Sequence, residues 1–138
     1  MNPIEFDTVQ VGDALPALQL PPVTRTTLAL FAGASGDHNP LHIDLDAARR
    51  AGMTDVFAQG MLSMAYLGRM LTQWADQRRL RSFGVRFGGI THLGHRLTCS
   101  ARVTEVFEAE GERRARLDIQ ATNQYGEIKL AGDAVVAL

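Results

Sequence analysis

The segment Ser35-Gly36-Asp37-His38-Asn39-Pro40-Leu41-His42 sets a carboxylate and an imidazole five positions apart around an Asn-Pro break. An Asp and a His held together can take a proton from water and give one to carbon, which is general acid/base chemistry. Pro40 disfavours helical geometry at Asn39, so any preceding helix must end there. Gly36 admits a backbone shape that other residues resist. The segment reads as a fixed corner carrying two titratable side chains. Taken singly, Asp37 is a common kind of turn residue and His42 could be a hydrogen-bonded structural histidine. The string as a whole is what points to catalysis.

Elements on both sides must hold that corner. An extended arm is expected over 6–20, with a turn at Val11-Gly12-Asp13 and an end at Pro21-Pro22. A helix follows to about residue 34, with Thr24 as N-cap and Leu28, Phe31 and Ala32 at helical spacing. Beyond the corner, Asp44 caps a short helix that carries Arg49 and Arg50 in its last turn and stops at Gly52. The longest helix is predicted over 60–79. Met61, Leu62, Met64, Ala65, Leu67, Gly68, Met70, Leu71 and Trp74 make it apolar or small over most of its circumference, so it is buried. Four strands are predicted over 82–91, 96–108, 113–125 and 127–138, with hairpin turns at Glu110-Gly111-Glu112 and Tyr125-Gly126-Glu127. An antiparallel sheet wrapped round one buried helix is an α+β layer fold.

The bulk numbers narrow the function classes. The 138 residues suit one domain over 1–138, with 46 % apolar and 21 % charged residues. A net charge of −1 gives no surplus for phosphates, so nucleic acid is not expected as a partner. Local basic clusters at Arg78-Arg79-Leu80-Arg81 and Arg113-Arg114-Ala115-Arg116 read as solvated surface, with a small anion-binding patch as the alternative. Cys99 is the only cysteine, so no intrachain disulfide can form; its strand-like neighbours make it a small buried apolar residue, and a reducing compartment fits. The first residues lack the pattern of a signal peptide and no stretch approaches a membrane span, so a cytoplasmic protein without membrane contact is expected. His92 and His95 have no third ligand beside them, which argues against a metal. Neither a G-x-S-x-G elbow nor a G-x-G-x-x-G loop is present.

Gly36-Asp37-His38-Asn39-Pro40-Leu41-His42, followed further on by Gly60-Met61-Leu62, resembles the MaoC-like dehydratases. These include (R)-specific enoyl-CoA hydratases and bacterial 3-hydroxyacyl-thioester dehydratases, and the similarity covers 23–138. The resemblance implies a single hot-dog domain: a long central helix wrapped by an antiparallel sheet, with a hydratase segment overhanging it. It implies Asp37 and His42 as the catalytic pair, Asn39 as a residue that orients them or the water, and the Gly60 N–H as donor to the thioester carbonyl oxygen. Gln59 and Met61 beside it belong to the substrate wall. The implied reaction is reversible hydration of a trans-2-enoyl thioester to the (R)-3-hydroxyacyl thioester in fatty acid metabolism. It needs no cofactor and acts on acyl-CoA or an acyl carrier protein thioester. A homodimer is implied, with a heterodimer as the variant. The chain departs from its relatives at Gln59, where His is usual, at 88–95, where many carry Pro near Ile90 and Asp near His95, and at Gly68, where some carry Ser.

Two other classes stay open. Many hot-dog thioesterases place a carboxylate on the long helix, and this chain has neither Asp nor Glu between Gly60 and Asp76. A non-catalytic subunit of a heteromeric hydratase should have lost Asp37 or His42, and both are present.

Overall fold

The computed structural model describes residues 5–138; Met1–Ile4, on which part of the signal-peptide expectation falls, lie outside the described residues. The elements in chain order are β1 (Leu18–Gln19), α1 (Arg25–Ser35), α2 (Leu45–Arg50), α3 (Gly60–Trp74), β2 (Leu80–Phe87), β3 (Thr98–Ala109), β4 (Glu112–Thr122) and β5 (Ile128–Ala137). The strands form one antiparallel sheet in the order β1-β3-β4-β5-β2.

Alternation drives the sheet to curl. On β4, Ala115, Leu117, Ile119 and Ala121 are buried, while the residues between them face outward. The inward row meets α3, which buries Leu67, Met70 and Leu71 in the hollow. Side chains of this kind contribute roughly 1.5–3 kcal/mol each on full burial. β2 and β5 approach closely at Gly132, where an added Cβ would stand 2.0 Å from the Gly84 carbonyl oxygen. The β3–β4 hairpin turns through Glu110 and Gly111, both at positive φ, as a two-residue turn matched to strand twist requires. A helix in the hollow of such a sheet is the hot-dog fold.

Several boundaries differ from expectation. The long helix stops at Trp74, not near residue 79, because Ala75 is extended and the Asp76 carboxylate caps a separate 3-10 turn at Gln77–Arg79. β2 consequently starts at Leu80 and ends at Phe87, and the following residues form a loop until β3 begins at Thr98. β4 ends at Thr122, where Asn123 Oδ1 accepts from the Tyr125 and Glu127 N–H groups and turns the chain. The arm adds a short strand, pairing Leu18 with Cys99.

Arginines of both basic clusters make ion pairs and hydrogen bonds within the fold. Arg81 and Arg114 share the Glu112 carboxylate and hold it down at about 2, below its usual range. Arg116 bridges Glu105 and Asp133, Arg78 pairs with Asp76, and Arg113 donates to the Phe6 and Val9 carbonyls. Burial pushes the Cys99 thiol up to about 11, so it is an inert core residue.

Candidate active site

α1 delivers the corner. Thr24 Oγ1 accepts from the Thr27 N–H at its start, and Gly36 closes its end at φ 77°, donating to the Ala32 carbonyl. A chain of side-chain caps then takes over from the helix ladder. The Asp37 N–H donates to Ser35 Oγ (3.1 Å), the Asn39 N–H to Asp37 Oδ1 (3.2 Å) and the Leu41 N–H to Asn39 Oδ1 (3.1 Å). These bonds lead into the 3-10 turn Pro40–His42, which sets His42 over the chain that returns toward α3. Asp44 then caps α2 through the Asp46 and Ala47 N–H groups.

The two titratable groups meet. His42 Nδ1 donates to the Phe57 carbonyl at 2.7 Å, and its ring sits edge-on to the Phe57 ring at 5.0 Å. A carbonyl can only accept, so Nδ1 carries the proton and Nε2 presents a lone pair in the neutral ring. Nε2 lies 3.9 Å from Asp37 Oδ2, with side-chain exposures of 11 % for His42 and 40 % for Asp37. Two acceptors at that spacing accommodate one water that donates an O–H to each at about 2.8 Å. Asp37 Oδ1 is held by the Asn39 N–H, so Oδ2 is the oxygen available to such a water.

Other predicted residues take distinct places. Gly60 opens α3, and the first N–H groups of a helix have no intrahelical partner. Gly60 and His42 share a cavity of about 430 Å³ with Phe57, Ser63, Phe87 and Thr91. A Cβ at Gly60 would stand 2.8 Å from the Phe87 ring, so only glycine fits there with that ring in place. Asn39 caps the turn between Asp37 and His42, its Oδ1 accepting the Leu41 N–H. Met61, 53 % exposed, faces away from the His42 cavity. It lines an apolar hollow of about 400 Å³ with Phe31, Met64, Ala65 and Phe83, and Asp37 stands at that hollow's edge. Gln59 borders the His42 cavity but is 0 % exposed; its Nε2 donates to the Leu28 carbonyl at 3.0 Å. It is therefore a buried part of the cavity wall. At Gly68 a Cβ would touch the Phe83 ring at 3.4 Å. His38 is exposed, as expected. Among the described residues, no cluster of three His, Cys, Asp or Glu side chains could hold a metal. No helix among them is long and apolar enough to cross a membrane.

The sequence did not point to the Phe57 carbonyl, the Phe87 ring or Ser63. The first is a backbone atom, which no residue type announces. Phe87 reaches Gly60 only through the pairing of β2 with β5. Ser63 could have been found: it follows Gly60 by three residues on α3, which puts both on the same face.

Known proteins share this fold. The (R)-hydratase from A. caviae involved in PHA biosynthesis superposes with a TM-score of 0.82 at 26 % identity, covering 95 % of this chain and 98 % of that one. The ChsH1–ChsH2 complex from Mycobacterium tuberculosis matches with a TM-score of 0.80 at 26 % identity, covering 95 % of this chain and 98 % of that chain. The mitochondrial 3-hydroxyacyl-[acyl-carrier-protein] dehydratase FERN of Solanum lycopersicum is 24 % identical over 108 residues, 78 % of this chain and 66 % of that protein. The chain thus spans just under two thirds of the tomato protein's length. The family described as the MaoC like domain matches residues 8–124, and the chain belongs to that family of hydratases and dehydratases.

Proposed function

We propose that the protein is a hydro-lyase that reversibly adds water across a trans-2-enoyl thioester to give the (R)-3-hydroxyacyl thioester. The observation that carries the reading is the facing of Asp37 Oδ2 and His42 Nε2 at 3.9 Å beside the start of α3. The thioester carbonyl oxygen meets the Gly60 N–H at the positive end of the helix dipole, where the charge of an enolate is stabilised. One water between Asp37 and His42 attacks C3. Its proton passes to the pair, and the pair returns a proton to C2, so the elements of water are added across the bond. Dehydration runs the same steps backwards with the same groups. The (R) product is the one named for the A. caviae hydratase.

The substrate is an acyl-CoA or an acyl carrier protein thioester, and no cofactor takes part because the thioester already acidifies C2. The edge of β2 and the exposed side chains of Met61 and Phe87 beside it favour a homodimer. A heteromeric assembly, as in the ChsH1–ChsH2 complex, is the second arrangement. The single buried thiol fits a reducing, cytoplasmic setting. A thioesterase is disfavoured because α3 carries no carboxylate.

The test is the loss of enoyl absorbance with crotonyl-CoA and a longer enoyl-CoA. Each of Asp37→Asn and His42→Ala should lower kcat by about 10²–10⁴-fold with the fold intact. Activity retained in both variants removes the reading.

A further inference from the structure

Among the described residues, Gln59 Oε1 is the sole buried side-chain nitrogen or oxygen without a hydrogen-bond partner. The amide is fully buried, and only its N–H side is engaged, on the Leu28 carbonyl at 3.0 Å. A buried acceptor left unpaired costs roughly 1–3 kcal/mol. A methionine of similar length would fill the same space without that cost. Gln59 borders the His42 cavity, yet its amide N–H is spent on a backbone carbonyl across the joint, which points to a role outside stability.

The bond joins the two segments that carry the chemistry. Leu28 belongs to α1, whose C-terminal end hands over through Gly36 to Asp37. Gln59 immediately precedes Gly60, the first residue of α3. The rest of this joint is a small apolar cluster of Val23, Leu28, Ala48, Val56, Ala58 and Leu62. Apolar packing is non-directional and tolerates sliding. A hydrogen bond weakens steeply once its angle opens, so it fixes the axial and rotational setting of one helix against the other. α1 is a continuous helix of 11 residues, so a shift at Leu28 is carried to Ser35, whose Oγ holds the Asp37 N–H.

We infer that Gln59 is a positioning residue whose amide N–H locks α1, and with it the Asp37 carboxylate, against the N-terminus of α3. This rests on the hydration reading, because it assigns Gln59 the task of keeping the acid/base pair at a set distance from the oxyanion donor. A misplacement of about 1 Å in such a site can cost about 10²-fold in rate.

The experiment compares wild type, Gln59→Met and Gln59→His in the intact protein, by enoyl hydration kinetics and thermal unfolding. Gln59→Met removes the N–H and the orphaned oxygen together. Its Tm should hold or rise, while kcat falls about 10–100-fold and KM changes by less than about threefold. Gln59→His sets a ring N–H the same number of bonds from Cβ and should recover most of the lost kcat. A Gln59→Met enzyme with kcat within about twofold of wild type overturns the inference. So does a collapse of Tm in both variants, which would make Gln59 a stability residue. If only Gln59→Met fails to fold, Gln59→His decides: kcat near wild type supports the inference, and a tenfold loss at wild-type Tm overturns it. A wild type that hydrates no enoyl thioester defeats the reading of the site itself, a separate result from an active wild type matched by Gln59→Met.

Discussion

The sheet with α3 and the overhang between 23 and 59 are held together by different physics. Around α3 the contacts are apolar and long-range: Leu67, Leu71, Leu97, Leu117, Ile119 and Leu130 are almost fully buried and touch across the fold. The overhang has a much smaller apolar cluster and is fixed by directional bonds instead. Thr24, Ser35, Asp37, Asn39 and Asp44 each cap a nearby N–H, His42 is pinned on Phe57 O, and Gln59 on Leu28 O. Apolar packing gives free energy in proportion to area and is itself non-directional. Caps give little net energy, about 0.5–1.5 kcal/mol each, but place atoms closely. A molecule divided in this way separates stability from rate: damage to the sheet should appear in Tm, and damage to the overhang in kcat.

The largest expected effect is at Asp37 and His42. Asparagine at 37 or alanine at 42 should remove about 10²–10⁴-fold of kcat, while Tm moves little at Asp37, whose side chain is 40 % exposed, and modestly at His42, whose ring is buried. A large fall in Tm for either would break the division. Next is Gly60→Ala, at the seam between the regions. Its Cβ would stand 2.8 Å from the Phe87 ring, so the ring or the start of α3 must shift. An expected loss of about 10–100-fold in kcat/KM follows from displacing the oxyanion donor. Helix propensity favours alanine, so Tm should not fall in proportion. The double variant Gly60→Ala with Phe87→Leu should recover part of the activity, because the two residues share one contact. Additive losses in that cycle would show that the ring is not what the methyl group meets.

The same division explains what could be read from residues alone. The corner was legible because its bonds are local: Ser35, Asp37 and Asn39 bond within two residues of themselves, and spacing in sequence is spacing in space. The α1 cap at Thr24, the α2 cap at Asp44 and the alternation of β4 were legible for the same reason. The end of α3 was not, because Asp76 begins a new turn in a stretch, Asp76-Gln77-Arg78-Arg79, that carries neither Gly nor Pro to mark a stop. The strand order was not legible either. β2 skips its sequence neighbour β3 to pair with β5, and that pairing brings Phe87 to Gly60. The role of Gln59 depends on a bond to a backbone carbonyl 31 positions away, which carries no mark in the sequence.

Leu117→Ala probes the sheet side. Leu117 is fully buried on the central strand, and truncation there should cost about 2–5 kcal/mol of stability. Measured well below its Tm, the folded variant should keep kcat within about twofold of wild type. A tenfold fall in kcat at constant fold would mean that the sheet also sets the geometry of the pair.

The smallest expected effect concerns His95, which lies in the loop between β2 and β3. Burial holds its pKa below the usual range, helped by Lys129 and His92 and opposed by Glu127. Its Nδ1 also accepts the His92 N–H, a bond that a proton on that nitrogen would remove. The folded state therefore prefers neutral His95, while the unfolded chain takes up a proton near pH 6.5. The resulting stability is fully present above about pH 6.5 and is lost as pH falls from there through the lowered folded-state value. Tm should be lower at about pH 5.5 than at about pH 7.5, and His95→Gln should narrow that gap. An unchanged gap in the variant would assign the acid sensitivity to other groups. Because His95 packs against Tyr125 on the sheet side and makes no contact with the Asp37–His42 pair, the same substitution should leave the kcat ratio between the two pH values as it is in wild type.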